Sequence, residues 1–322
     1  MKASIVVPVY NEEANLPELL RRLGAVMEAT GEPYELVFVD DGSRDGSLAI
    51  LKQAAAARPD RIRVLELARN FGQHQAILAA FESVSCDVVV TLDADLQNPP
   101  EEVPKLLAKV REGYDVVGGV RQDRQDSFLR RAASLVVNRM TVVITRMRIT
   151  DFGCMLRAYS REVVEEINRC DESSTFIPAL AQSFARRPTE IPVEHAPRRH
   201  GESAYSLYRL VRLNFDLMTG FSVVPLQVFG LLGMVVAFGG IAFGLFLFVR
   251  RIVHGAEVEG VFTLFAILFT LLGIAMAGLG LVGECVGRIY QQVRGRPRFR
   301  VRHAYGLGGD AAVNRESGIG NR

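Results

Sequence analysis

The chain has no tryptophan, and its 322 residues include only four cysteines and five histidines. Cys86, Cys154, Cys170 and Cys285 are scattered, with no C-x-x-C and no histidine at metal-ligand spacing. That pattern argues against a zinc site and leaves the thiols as small buried apolar side chains of a reducing compartment. An excess of charge is missing too: 38 Lys and Arg face 36 Asp and Glu, a net +2, so bulk electrostatics offers no case for a nucleic-acid partner. No G-x-x-x-x-G-K-[ST] occurs, which excludes a P-loop ATPase. Behind Met1-Lys2, the apolar run Ala3–Val9 is too short for a signal peptide and lacks a small-residue cleavage site. The amino-terminal domain is therefore expected to stay in the cytosol.

What is present, up to about residue 120, is an alternation of strand and helix patterns. Apolar, β-branched runs fall at Ile5–Val9, Glu35–Val39, Val64–Leu67, Val88–Leu92 and Val116–Val117. Helical spacing separates them, as in Leu16, Leu19, Leu20, Leu23 and Met27. Such alternation predicts an α/β domain with a Rossmann-like, doubly wound, mostly parallel sheet. Polar clusters follow successive strands: Tyr10-Asn11-Glu12, Asp40-Asp41-Gly42-Ser43, Asn70-Phe71-Gly72-Gln73 and Asp93-Ala94-Asp95. Any one of them alone is ordinary loop and cap chemistry. Four on one rim of one sheet form a site, because ligands of open α/β sheets bind outside the carboxyl ends of the strands.

The fourth cluster carries the most chemistry. Val88–Leu92 reads as a buried central strand, Asn98-Pro99-Pro100 stops it, and Glu101-Glu102 open a helix whose N-terminus favours acids. Asp93 and Asp95 with the amide oxygen of Gln97 then make a hard-oxygen site for Mg2+ or Mn2+, an ion that suits a diphosphate leaving group. His74 and His195 have no acid partner by spacing and are expected to be structural.

Long hydrophobic runs are confined to the last third. No charge occurs between Asp216 and Arg250, or between Glu259 and Glu284. Each run exceeds the ~20 residues that cross a bilayer core. The predicted organisation is a cytosolic domain over 1–202, an interfacial amphipathic helix over 203–222, spans over 223–249 and 260–283, a short periplasmic loop over 250–259, and a cytosolic basic segment with a flexible tail over 284–322. Arg198, Arg199, Arg209 and Arg212 before the first span, and Arg288 to Arg302 after the second, put both ends in the cytosol by the positive-inside rule. In 203–222, Arg209, Arg212 and Asp216 share a face opposite Leu210, Phe215 and Phe221, as in a helix lying on a lipid surface; a linker helix packed on the domain is the other reading. Gly240-xxx-Gly244 and Gly273-xxx-Ala277 hint at helix association and a homo-oligomer.

Val-Pro-Val-Tyr-Asn-Glu-Glu at 7–13, Asp-Asp-Gly-Ser at 40–43, Asp-Ala-Asp-Leu-Gln-Asn-Pro-Pro-Glu at 93–101 and Arg-Arg-His-Gly-Glu-Ser at 198–203 resemble inverting family 2 glycosyltransferases of GT-A fold. Within that family the chain looks like the polyprenyl-phosphate sugar transferases, whose bacterial members carry a two-span tail. The segments 70–74, 120–127, 151–159 and 174–178 are similar to the undecaprenyl-phosphate 4-deoxy-4-formamido-L-arabinose transferases of lipid A modification and polymyxin resistance.

The resemblance implies a UDP-sugar donor and undecaprenyl phosphate as acceptor, at the cytosolic face of a bacterial inner membrane. By it, Pro8, Tyr10, Asn11, Glu12 and Asn70 line the nucleotide pocket and Asp40 accepts from the uracil. Asp95 and Gln97 hold the ion with Asp93 beside them, while Arg121, Arg130, Ser134 and Arg198 meet the acceptor phosphate. Asp151 is the candidate base or sugar-contacting carboxylate, with a strand-end cap as the competing reading. Processive polysaccharide synthases carry a Q-x-x-R-W signature, which a chain without tryptophan cannot supply. A non-catalytic scaffold would be expected to lose the carboxylates that this chain keeps. The same enzyme class acting on glucose or another hexose stays open.

Overall fold

Strands at the expected apolar runs, with helices crossing between them, make up the first half of the chain. The structure is a computed structural model that describes residues 1–121, 151, 153–170, 176–196, 224–254, 261–294 and 297–306. Strand β1 (Ala3–Val9), helix α1 (Leu16–Ala29), β2 (Tyr34–Asp40), α2 (Ser47–Ala57), β3 (Ile62–Leu67), α3 (Gln73–Ser83) and β4 (Val88–Thr91) follow in order. A 3-10 turn at Pro100–Glu102 leads into α4 (Val103–Arg111). Then come β5 (Val116–Arg121), β6 (Arg157–Ser160), α5 (Arg161–Arg169), α6 (Ile177–Phe184) and β7 (Pro188–Val193). Two long helices, α7 (Val224–His254) and α8 (Val261–Val293), precede a last strand, β8 (Val301–Tyr305).

The eight strands form one sheet in the order β7-β5-β6-β4-β1-β2-β3-β8. β1 pairs in parallel with both β2 and β4, and β2 with β3. β6 enters antiparallel between β4 and β5, and β7 pairs in parallel with β5. Six strands therefore run one way, while β6 and β8 oppose them, which is the mostly parallel sheet that the alternation implied. Chain order reverses across β1, so the crevice at the carboxyl ends of β1 and β4 is the topological switch point. Every residue of β2 and β4 is buried, as strands covered on both faces must be. Helix α1 turns Leu16, Leu19, Leu23 and Met27 into the same core as Ile5, Val7 and Phe38. Full burial of such side chains contributes about 2 kcal/mol each.

The chain divides into two compact units, Met1–Ser206 with Arg296–Arg322, and Leu207–Gly295. In the second, α7 and α8 contain windows long and apolar enough to cross a membrane, Gln227–Phe246 and Thr270–Gly287. Their apolar side chains, among them Leu231, Phe238, Ile241 and Leu279, are exposed rather than packed, unlike those of a core helix. One close approach stands out: Gly278 lies against the Phe229 ring, where a Cβ would overlap it.

Both helices outrun the charge-free segments, α7 past Arg250 and α8 past Glu284 and Arg288. A helix propagates through backbone hydrogen bonds, and Arg and Glu are good helix formers, so a charge does not stop it. The interfacial stretch 203–222 lies outside the described residues.

The sequence placed 301–305 within the basic segment and tail, but these residues return to the first unit as β8, antiparallel on β3. Arg302 and His303 hide the strand pattern, yet Val301 and Tyr305 are half-buried against the sheet. Glu66 anchors the strand. Its carboxylate accepts from Tyr305 Oη at 2.8 Å and lies 3.2 Å from Lys52 Nζ and 3.7 Å from an Arg302 guanidinium nitrogen. Burial works to raise its pKa, but the Tyr305 hydroxyl and Lys52 outweigh it and hold it below the usual range. Tyr305→Phe should therefore lower stability by about 1 kcal/mol at neutral pH. A depressed carboxylate pKa contributes stability above the unfolded value and loses it as pH falls through the folded one. The penalty, read from thermal unfolding at a series of pH values, should shrink in acid; a pH-independent penalty would take Glu66 out of the anchor.

Candidate active site

The loops after β1 and β2 are laced together. Asn11 N–H donates to Ser43 Oγ at 3.1 Å, Glu12 N–H to Ser47 Oγ at 2.8 Å, and Arg44 N–H to Asn11 Oδ1 at 2.8 Å. Asn11 itself takes φ 54°, a left-handed conformation that asparagine tolerates. Tyr10 is exposed on this rim, Pro8 is half-buried on β1, and Asn70 is exposed after β3.

Two adjacent aspartates end β2 and do different work. Asp41 accepts the Phe71 and Gly72 N–H groups at 2.7 and 2.8 Å, which fixes the loop after β3. Gly42 (φ 71°) lets that loop close, since a Cβ there would sit 2.7 Å from the Arg69 carbonyl carbon and 2.8 Å from Asn70 N. Asp40 is buried, accepts from Ser43 N–H at 3.3 Å through Oδ2, and leaves Oδ1 buried without a hydrogen-bond partner. Burial raises the pKa of both carboxyls.

At the end of β4, Leu96 adopts φ 60°, a strained conformation for a leucine, with its side chain buried in the core. Asp95 Oδ1 accepts Gln97 N–H at 3.1 Å across this turn. Gln97 O accepts Ala196 N–H at 2.8 Å, which brings the segment leading to Arg198 against the same loop. Asp93 Oδ1 accepts from Gln73 Nε2 at 2.5 Å. Burial and the neighbouring Asp95 carboxylate push the Asp93 carboxyl up to about 7, against the Gln73 amide and the Arg121 charge; Glu12 adds to the rise. Groups from the loops after β1 and β4, from α3 and from β5 thus act on Asp93.

Among the described residues no three His, Cys, Asp or Glu side chains converge as a metal cage. Asp93, Asp95 and Gln97 instead offer two carboxylates and an amide oxygen. That open donor set fits Mg2+ or Mn2+, which bind through one or two carboxylates plus substrate phosphates.

Arg121, at the end of β5, forks Asp151: Nε to Oδ2 at 2.7 Å and Nη2 to Oδ1 at 2.9 Å. Gly153 N–H also donates to Asp151, at 3.0 Å. Arg157 was not singled out by the sequence, yet it lies fully buried on β6 and donates to the Cys154 and Asp151 carbonyls at 3.0 and 2.6 Å. Its only signal in the sequence was an arginine set between the apolar Leu156 and Ala158. Gln73 was quoted within a motif but given no role. Arg130, Ser134 and Arg198 lie outside the described residues. His74 is half-buried beside Phe176, with ring centroids 5.0 Å apart, and desolvation lowers its pKa to about 4, so it is neutral at pH 7.

Asp93 should be a site where function opposes stability. Its raised pKa means that the folded state resists an ionisation the unfolded chain makes freely, so its cost grows as pH rises from the unfolded value to about 7. In metal-free protein, Asp93→Asn should therefore raise the melting temperature, and more at pH 8 than at pH 5. Equal or opposite shifts would contradict the crowding of Asp93 and Asp95.

Solved structures share this arrangement of sheet and helices. Glucosyl-3-phosphoglycerate synthase from Mycobacterium tuberculosis, in complex with Mn2+, uridine diphosphate and phosphoglyceric acid, is 19% identical with a TM-score of 0.50, over 68% of this chain and 76% of that one. The same enzyme with phosphoglyceric acid alone matches at 21% identity and TM-score 0.46, over 68% and 78%. With Mg2+ and uridine diphosphate it matches at 17% and 0.48, over 68% and 77%. The fold is GT-A, a mixed α/β sheet with, among the described residues, eight α-helices, the last two of them long and apolar. Residues 4–168, just over half of the chain, match the model of glycosyl transferase family 2, and the chain belongs to that family of glycosyltransferases.

Proposed function

We propose that this glycosyltransferase moves a sugar from a UDP donor to undecaprenyl phosphate at the cytosolic face of a bacterial inner membrane. The sugar we assign is 4-deoxy-4-formamido-L-arabinose, a step in lipid A modification and polymyxin resistance. The observation that carries the donor half is Asp40 Oδ1, a buried acceptor without a partner on the rim that holds Asp93 and Asp95. Uracil presents an N–H at its ring N3, where cytosine presents only an acceptor, so this oxygen selects a uridine nucleotide. Tyr10, Asn11, Glu12, Pro8 and Asn70 line the same rim. The acceptor half is supported by the two exposed apolar helices, which give the domain a lipid surface to work on. The sugar rests on the motif resemblance at 70–74, 120–127, 151–159 and 174–178.

In this reading Asp95, Gln97 and Asp93 hold Mg2+ or Mn2+, which neutralises charge on the departing diphosphate. The acceptor phosphate is already anionic near pH 7 and needs little help from a base, so positioning and charge neutralisation dominate. Asp151, with both oxygens engaged, orients Arg121 rather than removing a proton. The Arg121 fork, with Arg130, Ser134 and Arg198, then addresses phosphate oxygens. The stretch 203–222 lies on the membrane surface, both chain ends stay in the cytosol, and the chain forms a homo-oligomer. The last point is supported by the small-residue pairs Gly240-xxx-Gly244 and Gly273-xxx-Ala277, which suit close helix packing.

Purified full-length protein in detergent, given undecaprenyl phosphate, Mn2+ and in separate reactions UDP-4-formamido-arabinose, UDP-glucose or UDP-GlcNAc, should yield only the formamido-arabinosyl lipid by mass spectrometry. A hexosyl lipid would replace the sugar and pathway while keeping donor class and acceptor. Lipid products from none of the three would overturn the acceptor. Asp95→Asn should abolish metal-dependent transfer, and retained activity would overturn the metal assignment.

A further inference from the structure

Gln73 is an exposed carboxamide at the first position of α3, where the fold itself asks little of it. Its Nε2 nevertheless reaches across to β4 and donates to Asp93 Oδ1 at 2.5 Å, and no other side-chain hydrogen bond to Asp93 is seen among the described residues. The backbone that carries Gln73 is held from the other side. Asp41 accepts the N–H groups of Phe71 and Gly72, the two residues before Gln73, and Asp41 N–H donates to Val9 O at 2.8 Å. A continuous set of short contacts thus runs from the end of β1, through Asp41 and the start of α3, to the carboxylate at the end of β4. Asp41 adjoins Asp40, the residue with the buried acceptor.

We propose that Gln73 is a positioning residue, which orients the Asp93 carboxylate for the divalent cation and ties that orientation to the loop flanking the nucleotide end of the rim. The inference rests on the proposed metal role of Asp93, Asp95 and Gln97. With Oδ1 accepting from the amide, the carboxylate is held in one orientation, and Oδ2, which takes no side-chain hydrogen bond among the described residues, would be available to a cation. A neutral carboxamide is suited to this task. A lysine there would neutralise the carboxylate and compete with the cation, and a carboxylate would add to the crowding with Asp95. Partners of this kind, one bond removed from a metal, are worth about 10- to 100-fold in metal affinity when lost.

The test uses the full chain in detergent with UDP present, and reads Mn2+ binding by electron paramagnetic resonance. Gln73→Leu should weaken Mn2+ by about 10-fold. Its UDP affinity in EDTA should match that of the wild type, and it should stay folded, its melting temperature falling by no more than the loss of one hydrogen bond explains. In an Asp93→Asn background the same Gln73→Leu change should have less than about a twofold effect, as residues acting through one another are non-additive. If Asp93→Asn weakens Mn2+ but Gln73→Leu does not, or if the Gln73→Leu effect persists undiminished in the Asp93→Asn background, the positioning role is overturned while the metal site stands. If the wild type binds no Mn2+ in the presence of UDP, or Asp93→Asn binds it as tightly as the wild type, the metal reading itself falls and takes the inference with it.

Discussion

Asp40, Asp41 and Asp93 are each held above the ordinary carboxylate range because burial at the strand ends strips them of water. Unpaired negative charge in a low-dielectric crevice is costly, and much of the local architecture answers to that cost. Backbone amides satisfy Asp41, a neutral carboxamide steadies Asp93, and Arg121 stands near enough to lower the Asp93 pKa while being forked to Asp151. The negative charge that remains suits the rim to the cation and the N–H donors proposed for it. The strained Leu96 belongs to the same economy, since it turns the chain so that Asp95 closes on Gln97 N–H while the leucine side chain stays in the core.

The parallel half of the fold was legible because its strands are almost entirely buried. Largely apolar runs at β1 to β4 need no partner to be recognised, and the four polar clusters follow them in register. β6, β7 and β8 were not legible. β6 carries Arg157, whose charge is met by carbonyls that sequence cannot reveal. β7 contains Pro188 and Pro192, which argue against a central strand, and it indeed lies at the sheet edge. β8 reads as basic tail until Glu66 supplies its counter-charge.

In the site, residue types gave the carboxylates but not their division of labour. Adjacent Asp40 and Asp41 look alike in sequence; only the structure separates one with an open acceptor from one consumed by backbone amides. The Asp151–Arg121 fork likewise joins two residues thirty positions apart that the family resemblance had assigned to different tasks. Gln73 was invisible for the same reason, since its partner lies on another strand.

The return of β8 to β3 has a consequence for how the protein is made. A ribosome releases β1 to β7 first, then the two long apolar helices, and only afterwards residues 301–305. Until those emerge, β3 is an open edge with unpaired amides and carbonyls, a template for pairing with another chain. The nascent catalytic domain must pass that interval with its sheet incomplete while the most hydrophobic part of the chain is being translated. Ribosome-bound chains stopped before residue 297 would be the aggregation-prone form, and β8 acts as a seal applied only after the two apolar helices have been made.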